Sequence, residues 1–265
     1  MAIITLSRGT YGGVKQVAEC LSERLGYGLL TREELLTACA QEYDATPTQL
    51  ESALMQRPGF LEGRGLRRLR YIACVQAALA RRVQGDNMVY LGQAGHLLLK
   101  GVPHLLRVRV VANVEHRIAE VMKRTDFTRD RAIQYLGEMD EERDNWVKWV
   151  YGVDYNDPTN FDLAVNLARL SVARACTIVI DTVTQDFQTS PEAQQVLDDL
   201  AITSEIRARM GLDPEIGDER ISVEAKGGVV TISADTRHLA EAEKVKELAR
   251  RIPGVTEVRT AAEAR

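Results

Sequence analysis

Three features in succession near the start of the chain constrain its fold more than anything else in the sequence. Ile3–Leu6 is a short run dominated by apolar residues, and Gly9, Gly12 and Gly13 crowd the positions that follow. Val14–Leu25 then sets Val14, Val17, Ala18, Leu21 and Leu25 along one helical stripe, and Gly26 stands where the C-cap of that helix would fall. A strand with so little polar alternation is covered on both faces, which is how parallel sheets are built. Met88–Leu91, Val108–Ala112 and Thr177–Ile180 repeat this strand pattern, while Arg64–Val83, Val114–Lys123 and Arg129–Val150 read as helices. Strands alternating with helices predict an α/β domain with a parallel sheet and flanking helices.

The pattern changes after Asp181. Gln185–Pro191 is polar and irregular and reads as a linker, and a helix is expected over Pro191–Met210. Arg220–Ala225 and Val229–Ala234 flank Lys226-Gly227-Gly228 as the strands of a hairpin. A helix over Leu239–Ile252 is broken by Pro253-Gly254, and Val255–Thr260 is a last strand. The order αββαβ predicts a second, small α+β domain, so the chain divides into residues 1–188 and 200–262.

Composition narrows the function classes. With 265 residues, two domains are the natural division, and a net charge of -4 argues against general nucleic-acid binding, which needs a basic surface. Cys20, Cys39, Cys74 and Cys176 are far apart and read as buried thiols in a reducing compartment. His96, His104, His116 and His238 have no metal-ligand spacing, so no metal site built from side chains is expected and no role falls to them. The first apolar residues meet Arg8 too soon for a signal peptide, and no run approaches the ~18 residues of a membrane span, so the expected address is the cytoplasm.

The glycine-rich turn has its own chemistry. Glycines let backbone N–H groups converge on an anion, and the following helix adds the positive end of its dipole. Gly9, Thr10, Tyr11, Gly12, Gly13, Lys15 and Gln16 are therefore the candidate phosphate-binding residues, with Lys15 placed one turn into the motif to reach outer phosphates. Val14 stands where the full pattern has its second glycine, and Gln16 where it has a hydroxyl for Mg²⁺. A tight strand-to-helix turn with a solvated lysine is the alternative.

Ser7-Arg8-Gly9-Thr10-Tyr11-Gly12-Gly13 through Leu25-Gly26-Tyr27 resembles the opening of the cytidylate kinase-like family of P-loop nucleoside monophosphate kinases. Val89-Tyr90-Leu91-Gly92-Gln93-Ala94 is similar to the family's strand ending in Gly-Arg, and Asp154–Pro158 with Phe161–Asn166 to its late signature. Asp181, after Thr177–Ile180, would end the last sheet strand. This resemblance spans roughly residues 1–185 and implies ATP and Mg²⁺ as cofactors. Asp140-Glu141-Glu142-Arg143 resembles the lid's Asp-x-x-Arg element, which makes Arg143 a catalytic candidate beside Lys15, with Arg124, Arg129 and Arg131 as further lid or substrate candidates. Ordinary helix-surface ion pairs with the interleaved Glu and Asp residues would look the same. Arg64, Arg67, Arg68 and Arg70 fall where such kinases hold the monophosphate, although a solvated face explains them as well, and Trp146 and Trp149 read as packing residues.

Ile221–Ser233 and Ile252–Val258 resemble the BON domain, which implies a protein or phospholipid partner. This part of the chain is nearly neutral, with 11 Lys/Arg against 12 Asp/Glu from Thr203 to Arg265, so a protein partner is favoured over anionic lipid. Two readings follow. The first is an ATP-dependent kinase of a nucleoside monophosphate, CMP by resemblance. The second is a degenerate nucleotide-binding or scaffold protein acting through its BON domain, favoured by Val14 and by Gln93 and Ala94, which replace the arginine and aspartate of the family's Gly-Arg-Asp turn.

Overall fold

The computed structural model describes residues 2–8, 13–55, 65–213, 215–216, 221–235 and 238–262. The first part runs β1 (Ile3–Arg8), α1 (Val14–Leu25), β2 (Gly28–Thr31), α2 (Arg32–Glu42), α3 (Pro47–Met55), α4 (Gly65–Val83), β3 (Met88–Leu91), α5 (Gly95–Leu98), β4 (Leu105–Val111), α6 (Val114–Arg124), α7 (Arg129–Tyr151), β5 (Leu163–Asn166) and α8 (Val172–Asp186). Among the described residues its five strands form one parallel sheet in the order β2-β3-β1-β4-β5. β1 is central, and its residues Ile3, Ile4 and Leu6 are fully buried, as a run with so little polar alternation requires. One face of the sheet packs on α1 and α8 through Ile4, Leu6, Val17, Leu21, Val108, Val179 and Val183. The other packs on α2 to α5 and on Trp146 of α7. The Trp146 indole donates to the Ala53 carbonyl at 2.7 Å, and Trp149 packs on the same core, so both are packing residues as the spacing suggested.

One expected strand is a helix. Thr177–Ile180 lies inside α8, and the sheet's fifth strand is Leu163–Asn166 instead. The β-branched run looked like a strand, but Ser171 caps the helix by accepting from the Arg174 N–H, and Ala175, Cys176, Val179 and Val183 share one buried stripe against α1. Burial of that stripe outweighs the weak local strand preference. Asp181 is therefore mid-helix and ends no strand, and the polar stretch read as a linker shortens to residues 187–190 because α8 runs through Asp186. The edge strand β2 and the short helices α2, α3 and α5 have no counterpart in the sequence reading.

Cys20 and Cys176 are joined in a disulfide between α1 and α8, their Cα atoms 6.3 Å apart. That departs from the reading of four separate thiols, which holds for Cys39 and Cys74 alone; burial pushes both of these up to about 12.

The second part runs α9 (Pro191–Leu212), β6 (Ile221–Lys226), β7 (Val229–Ala234), α10 (Leu239–Ala249) and β8 (Glu257–Ala262). β6 and β7 form the expected hairpin, and β8 adds to β7 in parallel, giving the αββαβ unit. α9 belongs to both cores. Leu197, Ala201 and Ala208 are buried with the first domain, against α4, while Ile202, Ile206 and Met210 are buried in the core of the second. Polar contacts fasten it on both sides. The Asp199 carboxylate accepts from the Gly227 and Gly228 N–H groups of the hairpin turn at 2.7 and 2.9 Å. Buried Glu205 accepts from the Tyr43 hydroxyl at 2.6 Å and pairs with Arg81 and Arg209. A carboxylate this deep needs such partners to offset its desolvation.

Leu197→Ala should therefore lower the unfolding free energy by about 2–5 kcal/mol, the usual range for a fully buried leucine. Urea denaturation measures it, and a loss under about 0.5 kcal/mol would show that α9 is only a connector.

Candidate functional site

Parallel sheets gather function at the carboxyl ends of their strands, and here that edge carries the glycine-rich turn. Gly9, Thr10, Tyr11 and Gly12 lie outside the described residues. Gly13 is the N-cap of α1 with a φ of 75°, a left-handed conformation that suits glycine. A Cβ there would come within 3.1 Å of Leu167, in the turn after β5. α2, α6, α7, α8 and α9 each begin with a side-chain oxygen accepting a first-turn N–H, whereas Gly13 at the start of α1, like the N-cap residues of α5 and α10, provides no side-chain cap. Lys15 sits in the first turn with its ammonium exposed and 3.6 Å from Glu19; Gln16 is exposed beside it. Val14, which stands where the full pattern has its second glycine, is buried in the core that holds Ile4, Leu6 and Val165. Its branch fills core space under α1, and a glycine there would leave a cavity.

Near the end of β1, three arginines from three elements converge. Arg109 of β4 is the register partner of Ser7 in β1. Its guanidinium donates to the Tyr155 carbonyl at 2.9 Å and to the Asn156 side chain at 2.7 Å, and lies 5.1 and 5.2 Å from the ring centres of Tyr155 and Phe161. Arg117 of α6 grips both oxygens of Asp140, at 2.8 and 2.9 Å. Arg143 of α7 reaches the same carboxylate at 2.9 Å and stands 5.7 Å over the Tyr155 ring. With Asp144 they line a cleft of about 210 Å³. Three guanidinium groups face two carboxylates there, and the side chains of Arg117 and Arg143 are only 15% and 12% exposed, so their charge is poorly screened. Such a cleft suits an anion with several oxygens.

Arg143 thus lines this cleft, and the other lid candidates do not. Arg124 pairs with Glu120, Arg129 pairs with Glu115, and Arg131 lies over the Phe127 ring. All three sit on the α6–α7 pair, around its own small core of Ile118, Val121, Ala132 and Leu136. Arg64 and the side chains of Arg67 and Arg68 lie outside the described residues, and Arg70 packs against Gly211 of α9. Arg109 is the residue the sequence reading missed. Its signal was a guanidinium at alternate positions, Arg107 and Arg109, in a strand otherwise apolar.

At the neighbouring turn after β3, side chains at Gly92 or Gly95 would overlap the Tyr90 ring, and Ala94 holds a φ of 56°. Gln93 presents a buried amide nitrogen with no hydrogen-bond partner among the described residues. His96, at the start of α5, is buried, and its Nδ1 lies 3.0 Å from the Ser7 hydroxyl. Burial first, then Arg107 and Arg109, push its imidazole down to about 4.

Residues 3–169 match the model of the cytidylate kinase-like family, and residues 198–264 match that of the BON domain. No curated protein matches the chain. Among solved structures, an uncharacterized protein from Eubacterium ventriosum ATCC 27560 is similar over 70% of this chain and 99% of its own, at 16% identity and a TM-score of 0.53. A shikimate kinase from Acinetobacter baumannii, in complex with shikimate, is similar over 71% of this chain and 96% of its own, at 13% identity and a TM-score of 0.41. A shikimate kinase from Bacteroides thetaiotaomicron covers 69% and 98%, at 11% identity and a TM-score of 0.45. The first likeness concerns the fold alone, and the two shikimate kinases say nothing of this chain's substrate.

The depressed imidazole makes a stability prediction. The unfolded chain takes up the His96 proton near the ordinary value of about 6.5, and the folded chain resists it until about pH 4. The contribution is therefore complete above pH ~6.5 and is lost as pH falls toward 4, by about 3 kcal/mol in all. Urea melts of wild type and His96→Phe across that window should show a steeper decline in the wild type. Parallel declines would mean that His96 titrates normally.

Proposed function

Because the chain belongs to the cytidylate kinase-like family and carries a BON domain at its C-terminal end, we propose that residues 1–188 form a cytoplasmic phosphotransferase moving a phosphoryl group from ATP to a nucleoside monophosphate, CMP by family likeness. The observation that carries this reading is the cleft of Arg109, Arg117 and Arg143 at the carboxyl edge of the sheet, where Arg109 is the register partner of Ser7 near the end of β1. Phosphoryl transfer asks for positioning and charge neutralisation, which these groups suit. The uncapped start of α1 would bind donor phosphate oxygens, with Gly9, Thr10, Tyr11, Gly12 and Gly13 forming the turn and Gln16 beside it. Lys15, released from Glu19, would reach the outer phosphates, and Arg143 would neutralise charge as it develops. The nucleotide would bring Mg²⁺ with it, whose chemistry is to neutralise phosphate charge. In this reading residues 200–262 recruit a protein or phospholipid partner.

A second reading, a nucleotide-binding scaffold without turnover, is favoured by the acceptor turn. Gln93 and Ala94 bring no charge where the family has Arg and Asp, and Gln93 offers only neutral hydrogen bonds.

ATP with Mg²⁺ should raise the melting temperature, with about 2.7 kcal/mol of stabilisation at a concentration 100 times the Kd. Lys15→Ala and Arg143→Ala should each remove most of that shift, and an unchanged shift in both would remove the turn and cleft as the phosphate site. In a coupled ADP-release assay over a nucleoside monophosphate panel, CMP turnover should be slow and should improve in Gln93→Arg/Ala94→Asp. ATP binding with no turnover in either protein would replace the kinase with the scaffold.

A further inference from the structure

We propose that His96 is a positioning residue for the arginine cleft, acting through Ser7 and Tyr155 and not on substrate. The proposal rests on the reading of that cleft as a phosphate site. The Ser7 hydroxyl, buried near the end of β1, lies 3.0 Å from His96 Nδ1 and is also hydrogen-bonded to the Tyr155 phenol. The Tyr155 ring is the surface on which Arg109 and Arg143 stand, with their guanidinium carbons 5.1 and 5.7 Å from its centre. On its other side the imidazole lies 4.6 Å from the Phe161 ring, which carries Arg109 as well, at 5.2 Å. His96 thus touches both aromatic supports of the cleft and, through Ser7, the strand that leads into the glycine-rich turn.

A histidine does two things at this position, and the hydrogen bond is the one that sets the cleft. Its ring packs against Tyr155 and Phe161, whose centres lie 6.0 and 4.6 Å away. A polar atom at the Nδ1 position is needed to hold the Ser7 hydroxyl. Phenylalanine keeps the ring and loses the bond. Asparagine keeps a polar atom near Nδ1, and glutamine moves it toward Nε2, which has no hydrogen-bond partner among the described residues. The side chain also has to stay neutral, since Arg107 and Arg109 face it and a second layer of positive charge beneath the cleft would repel them.

The test uses the full chain and two readouts. Phenylglyoxal labelling with peptide mapping measures the access of Arg109 and Arg143 without any ligand, and calorimetry measures the binding of inorganic tripolyphosphate. His96→Phe and Ser7→Ala should each raise labelling of Arg109 and Arg143 several-fold and weaken tripolyphosphate about tenfold. His96→Asn should restore both toward wild type, and His96→Gln should not. Ser7→Ala removes one hydroxyl and keeps the test open should His96→Phe fail to fold. Wild-type labelling in Ser7→Ala, or equal behaviour of the Asn and Gln variants, would overturn the proposal. Altered labelling in a protein that never binds tripolyphosphate would uphold the positioning role and remove the phosphate reading of the cleft.

Discussion

The pairing of β1 with β3 on one side and β4 on the other is the constraint on which the rest of the site depends. Hydrogen bonding along both edges fixes Thr5 beside Tyr90 and Ser7 beside Arg109, and side chains on a strand alternate strictly between faces. A slip of one residue would turn Ser7 away from His96 and Arg109 into the core beside α1. The same slip would put the Thr5 and Ser7 hydroxyls into the apolar core that holds Ile4, Leu6, Val17 and Val179, so the alternation that builds the core also sets the geometry of the cleft. Stability and site placement here are one requirement.

Much of the scaffold was legible because its signals are local. α1, β3 and β7 have the bounds that periodicity and glycine placement assign, and the hairpin follows from Gly227-Gly228. Thr177–Ile180 was misread because a four-residue apolar run carries no period long enough to separate strand from helix. What decided it was the buried stripe of α8 against α1, which is tertiary information. The same limit applies to the site. Arg143 has a motif and lines the cleft, whereas Arg124, Arg129 and Arg131 were read from the same segment and turn to other partners. Arg109 and His96 become meaningful only when β4 and α5 are brought beside β1, because neither has a chemical partner near it in sequence.

The second domain is fastened through α9 and not hung on a flexible tether. Because that helix is buried on opposite sides by two cores, a shift of the BON domain would have to move α9 against α4, breaking the contacts of Glu205 with Tyr43 and Arg81. α4 is also the helix that leads into β3 and the Gly92 turn, so mechanical continuity between the two halves runs through packed helices. Close packing passes small displacements on instead of absorbing them.

The bridge between Cys20 and Cys176 makes the first domain a covalent ring with a short tail. β2, β3, β4 and β5 belong to the ring, and β1 belongs to the tail, yet β1 is the middle of the sheet. In the oxidised chain, then, the ring holds two halves of a sheet that do not touch each other, and the tail closes the seam between them. The molecule's own amino-terminal strand serves as its keystone.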